Sequence, residues 1–324
     1  MKKVLVTGAT GFVGRALCAH LSRNGWHVRA SIRGATDFGL ASNCEVIRVP
    51  DIGPDTNWLA AVSGMDAVVH LAARVHVMRN RGADVLGQYR RINTAGTLSL
   101  ARASASAQVR RFIFLSTVKV HGERTVTVPF TELDTPCPVD PYAISKLEAE
   151  HGLAEISHET GLTTTFIRPP LIYGPGVKGN FFRLMSLVRR RIPLPVANIA
   201  NSRSLLCIDN LTSAIEAALA APSPISGAYL ISDNCDLSTP DLVARISAAM
   251  GFKPLMFACP PGLIKVAGRI VGIGGEVGRM IESLRVDCSL LQQNLRWRPS
   301  IDVNVGIAAA TQAYQHTISQ HTRP

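Results

Sequence analysis

The chain has 324 residues, of which 47% are hydrophobic and 18% are charged. This composition excludes a disordered or fibrous chain, and the length allows one or two folded domains. No apolar run reaches the length that a membrane-spanning helix needs, which excludes a transmembrane protein.

The formal net charge of +11 indicates an anionic partner. Small anionic ligands that bring several phosphates to one cleft are favoured, followed by an anionic membrane surface or an acidic partner. Nucleic acid is disfavoured, because Arg189–Arg191 is the only basic cluster and no aromatic residues are interleaved with it. The seven cysteines are scattered and form no Cys-x-x-Cys pair, which predicts a cytoplasmic protein without a metal site.

The first segment, Lys2–Thr7, is predicted to be a buried strand, and a helical pattern follows the next turn as far as about Asn24. Between them lies Gly-x-x-Gly-x-x-Gly. The first glycine permits a tight turn, the second lets a pyrophosphate approach the backbone, and the third lets helix pack on strand. The helix N-terminus adds N–H donors, so this turn predicts a dinucleotide site rather than a plain turn. The residues expected to contact the cofactor here are Gly8, Gly11, Phe12, Val13 and Gly14.

The second predicted strand, Trp26–Ile32, is followed by Arg33, where NAD-binding proteins tend to place an acid. A charge-assisted contact to a 2′-phosphate contributes about 1.5–3 kcal/mol. NADP(H) is therefore favoured, with NAD(H) possible if the arginine only stacks on the adenine.

Two further strands end in residues suited to the cofactor. Asp51 and Ile52 follow the strand Glu45–Pro50, and the aspartate is expected either to accept from the adenine amino group or only to form a turn. The strand within Asp66–Ala73 ends in small residues, so a cofactor can lie against its backbone, whereas His70 is expected to be a hydrogen-bonded core histidine. The expected contacts after this strand are Leu71, Ala72 and Ala73.

A long helix is predicted over Asp84–Ala107 and a fifth strand over Arg111–Leu115. Strands and helices thus alternate five times, which predicts an α/β protein with a doubly wound parallel sheet of the Rossmann type. Ligands collect at the carboxyl ends of such strands, and Ser116-Thr117 lies at one of them.

Tyr142 and Lys146 are four residues apart on a predicted helix and so share one face. An ammonium group beside a phenol favours the phenolate. Lowering the pKa of a tyrosine from ~10 to ~7 requires about 4 kcal/mol, which the lysine and a bound cationic nicotinamide are expected to supply together. The alternative is a helical surface pair.

From about Leu171 the chain is broken by proline and glycine into short elements. We expect a Rossmann domain over residues 1–170 and a smaller, mainly substrate-binding lobe over 171–324, with segments near 205–235 returning to the first domain. The predicted elements are the helices Phe181–Arg191, Asp209–Ala221 and Thr239–Met250 and the strand Ala228–Ser232.

The sequence resembles the extended short-chain dehydrogenase/reductases, specifically the NAD-dependent epimerase/dehydratase family that acts on nucleotide sugars. The resemblance covers nearly the whole chain. Its motifs are Thr7–Gly14, Asp66–Ala73, Ser116–Gly122, Pro141–Lys146, Arg168–Pro175 and Asp287–Pro299.

The resemblance implies a role for each matching residue. Thr117 holds the sugar 4-oxygen, Tyr142 is the general acid/base, and Lys146 binds the nicotinamide ribose and lowers the tyrosine pKa. Asn93 supports them. It also implies a UDP-sugar substrate, a homodimer formed through the helices near 84–107 and 142–159, and these further contacts: Pro169 to the cofactor, and Asn180, Arg203 and Arg279 to the nucleotide diphosphate.

Departures from the family pattern narrow the reaction. The dehydratases place Asp-Glu directly after the catalytic threonine, whereas here Val118-Lys119 follows, which disfavours dehydration. Lys119 is expected either to meet a phosphate or keto group or to be a solvated loop lysine. Leu171 replaces an asparagine of many epimerases. The runs Leu115–Glu123 and Ala72–Met78 are similar to a subgroup that reduces UDP-4-keto-6-deoxy-N-acetylhexosamines in bacterial polysaccharide synthesis.

Three functions follow as hypotheses. The favoured one is an NADPH-dependent nucleotide-sugar 4-keto reductase. The alternative is a UDP-glucose or UDP-N-acetylglucosamine 4-epimerase with tightly bound NAD. The remote alternative is a dinucleotide-sensing regulator without turnover, which has no need of an acid/base at Tyr142.

Overall fold

The computed structural model describes residues 2–34, 39–41, 43–75, 84–272 and 274–321, so the end of the run Ala72–Met78 lies outside the described residues. The strands found there are β1 (Lys3–Thr7), β2 (His27–Ile32), β3 (Glu45–Arg48), β4 (Ala67–His70), β5 (Arg111–Leu115), β6 (Thr163–Arg168), β7 (Leu171–Tyr173), β8 (Leu205–Cys207) and β9 (Gly227–Leu230). Seven of them form one sheet in the order β3-β2-β1-β4-β5-β6-β9, and every neighbouring pair is parallel. The predicted doubly wound parallel sheet is confirmed.

The described helices are α1 (Phe12–Arg23), α2 (Leu59–Val62), α3 (Val85–Tyr89), α4 (Gly96–Ser106), α5 (Pro141–Thr160), α6 (Gly179–Arg189), α7 (Ile208–Ala220), α8 (Thr239–Ala249), α9 (Pro261–Ile270), α10 (Gly274–Ile281), α11 (Ser289–Leu295) and α12 (Val303–His321). A 3₁₀ turn, Val118–Val120, follows β5. The single helix predicted over Asp84–Ala107 is wrong in detail, because a π-helical segment, Arg90–Ala95, separates α3 from α4. Among these helices, none combines the length and the apolarity needed to cross a bilayer.

Side chains of the central strands alternate between two cores, as the two-residue period of a strand requires. Val4 and Val6 of β1 pack on one face of the sheet in a cluster that includes Leu17 of α1 and Leu211 of α7. Leu5 points to the other face and joins a cluster with residues of α2, α4 and α5. Both faces are therefore covered, which explains why these strands are apolar throughout.

After β6 the chain leaves the large sheet for residues 171–226 and returns with β9, which pairs with β6. A third core holds Tyr173, Phe181 of α6 and Tyr314 of α12. This core supports the substrate-binding lobe that we propose for the second half of the chain. β7 and β8 pair with each other in a two-stranded sheet at its base.

Candidate active site

The glycine turn after β1 leaves no room for side chains. Gly8 has φ +69°, and a Cβ at this position would lie 2.8 Å from the backbone nitrogen of Ala72. A Cβ at Gly14 would lie 2.1 Å from the carbonyl oxygen of Gly8. The first turn of α1 has neither a side-chain cap nor an acidic residue, so the amides of Phe12 and Val13 remain available to an anion.

The end of β4 lies against this turn. The amide of Ala72 donates to the Thr7 hydroxyl (3.4 Å), and Leu71 and Ala73 on either side are half-buried. A surface formed mostly by backbone atoms therefore lies beside the glycines. It is formed by Leu71, Ala72 and Ala73, the residues expected to contact the cofactor.

His70 is a hydrogen-bonded core histidine, as expected. Thr97 donates its proton to the carbonyl of Asn93 (2.6 Å), so His70 Nε2 must donate to Thr97 (2.9 Å) and Nδ1 must accept from Thr7 (2.7 Å). Burial, together with the nearby charge of Lys146, lowers the pKa of His70 to about 3. The ring is neutral and holds the β1 and β4 ends together.

Three of the residues expected to contact the cofactor follow β2 and β3. Arg33 follows β2 directly and is exposed, next to the strand that carries the glycine turn. The Asp51 carboxylate accepts from Arg91 (3.1 Å), with both side chains more than half exposed. Ile52 is buried in the core beneath the sheet, so that only its backbone is available to a cofactor.

Tyr142 and Lys146 lie on the first two turns of α5, whose N-cap Asp140 accepts from the amide of Ala143 (2.7 Å). The ammonium of Lys146 lies 3.7 Å from the ring centroid of Phe114, which points it towards the end of β5. Asn93 donates to the Ser145 hydroxyl between them (3.0 Å) and also holds both backbone groups of Arg74. The π-helical segment thus fixes the helix that carries the tyrosine, as the supporting role predicted for Asn93 requires.

The protein groups around Tyr142 do not by themselves lower its pKa. Burial lowers the pKa of Lys146 to about 7, and Glu150 counteracts part of that effect. Burial and the neighbouring charge of Asp140 raise the pKa of Tyr142 instead of lowering it. At neutral pH, Tyr142 is therefore a phenol poised to donate, and it needs further positive charge before it can act as a base.

Thr117 caps the 3₁₀ turn after β5, where its hydroxyl accepts from the amide of Lys119 (3.3 Å). Lys119 fits neither expectation, because its ammonium is bound to Glu123 (3.0 Å) and Asp140 (2.6 Å). It thereby links the segment Thr117–Val120 to the start of α5. Pro169 accepts from the amide of Val118 (3.0 Å), which anchors the same segment to the end of β6.

The residues expected at the nucleotide diphosphate are only partly brought together. Arg203 donates to the carbonyl of Glu282 (2.8 Å), and its pKa is lowered to about 10 by burial and by the charge of Arg279. The two arginines are therefore neighbours. Glu123 acts on the same guanidinium in the opposite direction. Asn180 lies exposed in the first turn of α6.

A family model described as "NAD dependent epimerase/dehydratase family" matches residues 4–231. The chain belongs to this family. The "UDP-glucose 4-epimerase" of Vibrio cholerae is 37% identical to it over 318 residues, which cover 97% of this chain and 95% of that protein. The family resemblance drawn from the motifs is thus confirmed.

Solved structures with the epimerase/dehydratase fold superimpose on the chain as a whole. UDP-glucuronic acid 4-epimerase from Bacillus cereus in complex with NAD matches with a TM-score of 0.78 and 22% identity, covering 97% of this chain and 99% of that one. UDP-glucose 4-epimerase from Thermotoga maritima with UDP-glucose matches with a TM-score of 0.78 and 21% identity, covering 98% and 99%. At these identities the likeness establishes the fold.

The residues present fit the dinucleotide of an NAD-dependent family. The crowded glycines exclude side chains from the turn, and the uncapped α1 N-terminus offers its amides and its positive potential to phosphates. The part of the chain that the structure describes holds no cluster of histidine, cysteine and carboxylate side chains suited to a metal.

Sequence reasoning missed the buried groups beneath the site. Glu150, two turns after Tyr142, binds Arg168 at the end of β6, and both are buried. The spacing of positions 142, 146 and 150 on one helical face was the available signal. An acid on the face that packs against the sheet requires a buried cation, which the sequence alone does not identify.

Proposed function

We propose that the protein is a UDP-sugar 4-epimerase that transfers hydride at C4 of the sugar. The observation that supports this most directly is the 37% identity, over nearly the full length of both chains, to a protein named as a UDP-glucose 4-epimerase. Thr117, Tyr142 and Lys146 lie on the two segments that Lys119 and Asp140 tie together. No carboxylate directly follows Thr117, so dehydration lacks its acid pair.

A nicotinamide dinucleotide held at the glycine turn would supply the hydride acceptor, and its oxidised ring would add the positive charge that Tyr142 needs. Tyr142 removes the proton from the 4-hydroxyl and later returns it, which typically contributes 10²–10⁴-fold to the rate. Thr117 orients the 4-oxygen through its hydroxyl. Lys146 hydrogen-bonds the nicotinamide ribose and, when protonated, adds to the charge that lowers the pKa of Tyr142.

A second candidate is the NADPH-dependent reduction of a UDP-4-keto-6-deoxy-N-acetylhexosamine. Two observations favour it. The pKa of Tyr142 is raised, which suits a proton donor to a keto oxygen beside an uncharged reduced ring. Arg33 lies exposed after β2, where it suits a 2′-phosphate.

Cofactor stoichiometry distinguishes the two. The purified protein is incubated with UDP-glucose or UDP-N-acetylglucosamine without added cofactor, and the products are separated by chromatography. In parallel, the 4-keto sugar nucleotide is supplied with NADPH or NADH, and the loss of nicotinamide absorbance is followed. Interconversion of C4 epimers without net cofactor use supports the epimerase. One reduced cofactor consumed per product supports the reductase instead, and the absence of turnover in both contradicts the assignment to C4 chemistry.

The preference of Arg33 for NADP(H) stays a prediction, and the superimposed structure from Bacillus cereus is named as an NAD complex. We also propose the homodimer through helices α3 to α5, which sedimentation at several concentrations tests.

All seven cysteines are free thiols, which supports the proposed reducing cytoplasm.

A further inference from the structure

A buried ion pair between Glu150 and Arg168 lies next to the segments that carry Thr117 and Tyr142. Arg168 donates to both carboxylate oxygens of Glu150, through Nε (3.1 Å) and through Nη2. Glu150 is 2% exposed and Arg168 is 5% exposed. An ion pair so far from water costs desolvation energy and is weak evidence of stabilisation, so another consequence of its position has to be considered.

Each contact of this pair leads to a different part of the active site. Glu150 follows Lys146 by one helical turn and Tyr142 by two, on the same face of α5. The Ser116 hydroxyl donates to Glu150 Oε1, and Ser116 directly precedes Thr117. Arg168 directly precedes Pro169, whose carbonyl accepts from the residue after Thr117. One carboxylate thus connects α5, the end of β5 and the end of β6.

We propose that Glu150 is a positioning residue that supplies the negative charge Lys146 needs to remain an ammonium and holds Thr117 in register with Tyr142. The proposal rests on the roles given to these residues in the proposed function. Among the described residues, the Glu150 carboxylate accepts hydrogen bonds from Ser116 and Arg168. It therefore acts through these groups and not on the substrate.

The charges that face Lys146 support this role. Its own helix contributes Tyr142, an uncharged phenol, and Glu150. β4 contributes His70, which is neutral because its pKa is about 3, and β5 contributes the ring of Phe114. Arg168 from β6 is a cation held by Glu150, so Glu150 is the nearby negative charge that opposes burial. Its effect on the pKa of Lys146 is upward.

The other hydrogen-bond partner of Arg168 is a neutral histidine. Arg168 Nη1 lies 2.8 Å from His121 Nε2, and since a guanidinium only donates, this nitrogen must accept. Burial and the charge of Arg168 lower the pKa of His121 to about 4, so the ring is neutral. His121 therefore adds no further positive charge to the network.

The sign of the expected effect follows from these charges. Glu150→Gln removes one negative charge one turn from Lys146 and leaves Arg168 without its counterion. Both changes favour neutral Lys146, so its pKa falls. Because protonated Lys146 is the active form, kcat/KM falls at alkaline pH as Lys146 loses its proton. In Glu150→Gln this alkaline limb of the pH profile of kcat/KM is expected to lie about one pH unit lower.

The experiment compares Glu150→Gln with Glu148→Gln. Glu148 is on the same helix, but its ion pair is with Arg90, whose side chain is half exposed, and it faces away from Lys146. We expect the limb to shift in the first variant only, so that at pH 8 kcat/KM falls about tenfold more in Glu150→Gln than in the control. Glu150→Asp, which keeps the charge, should restore the limb even where kcat stays low. An unshifted limb in Glu150→Gln contradicts the proposal.

Two additions keep the test decisive. If Glu150→Gln does not fold, the double variant Glu150→Leu/Arg168→Met removes the carboxylate without leaving an unpaired arginine, so a smaller downward shift is expected from it. A folded double variant with the wild-type profile overturns the proposal. If no UDP-sugar is turned over, the proposed function fails, but the pH midpoint of NAD affinity, measured by calorimetry, still reports on Lys146. That midpoint should fall in Glu150→Gln, and an unchanged midpoint rejects the role of Glu150.

Discussion

The two ends of the proposed site are built from different parts of the chain. The end that we propose for the dinucleotide is made almost entirely of backbone: three glycines, the uncapped start of α1 and the small residues after β4. The end that we propose for the sugar diphosphate is made of charged side chains, with Arg203 next to Arg279 and bound to the carbonyl of Glu282. In this proposal the first end fits a shape that all dinucleotides share, whereas the second depends on side chains that single substitutions can change.

The two ends also differ in the contacts that hold them in place. The glycine turn is positioned by local contacts, since the amide of Gly11 donates to Gly8 (2.9 Å) within one turn. The backbone of Arg203 forms isolated β-bridges with Leu237 and Leu284, which belong to segments far apart in sequence. The position of Arg203 therefore depends on packing between distant segments of the chain.

The largest expected effect lies between the two ends. Tyr142→Phe removes the proton donor and acceptor but keeps the ring against Tyr89, 6.3 Å between centroids. We expect kcat to fall by about 10²–10⁴-fold with the affinities for both ligands nearly unchanged. Calorimetry and steady-state rates on the same preparation check this. Near-normal turnover by the variant would remove Tyr142 from the mechanism.

The backbone end is tested by Gly14→Ala. The added Cβ would lie 2.1 Å from a carbonyl oxygen, so the turn must move. Overpacking of 1–3 kcal/mol corresponds to a loss of dinucleotide affinity of up to about 100-fold, with UDP affinity retained. Gly262→Ala, an exposed helical glycine with no atom near its added Cβ, is the matched control. Equal affinities in the two variants would show that the close approach at Gly14 is unimportant.

The side-chain end is tested by Arg203→Met. Loss of a charge-assisted phosphate contact, about 1.5–3 kcal/mol, should raise KM for the UDP-sugar about 30-fold and leave dinucleotide affinity unchanged. Arg190→Met, at the exposed C-terminal end of α6, controls for the loss of one positive charge. A change in dinucleotide affinity instead would mean that the ends are not separate.

The smallest expected effect is at Arg33, because its side chain is exposed and water weakens its contacts. Arg33→Gln should reduce the ratio of NADPH to NADH affinity by about tenfold or less. Competitive titration of both cofactors measures this ratio. A wild-type protein that already prefers NADH would show that the arginine does not select the 2′-phosphate.

The parallel sheet was predictable because its signals are local. β5 was predicted at its observed bounds, and β1 differs by one residue, since apolar runs between glycines and charges determine such strands. The π-helical segment was not predictable. It depends on Asn93 binding Arg74 and Ser145, contacts across 19 and 52 residues.

The same limit applies to the candidate site. Thr117, Tyr142 and Lys146 could be named from motifs, but their electrostatics could not, because Asp140 and Glu150 act on them only in the folded chain. Lys119 shows this most clearly. Its carboxylate partner Asp140 is 21 residues away, so neither a ligand nor a solvated lysine was the correct expectation.

The late return of β9 has a consequence for synthesis on the ribosome. Until residues 227–230 emerge, the nascent chain carries β6 as an uncovered edge strand, and Thr165 lacks the carbonyl of Ile225 that its hydroxyl binds (2.5 Å). An open edge of this kind is a template for pairing with other chains. A truncated product that stops before β9 should therefore aggregate.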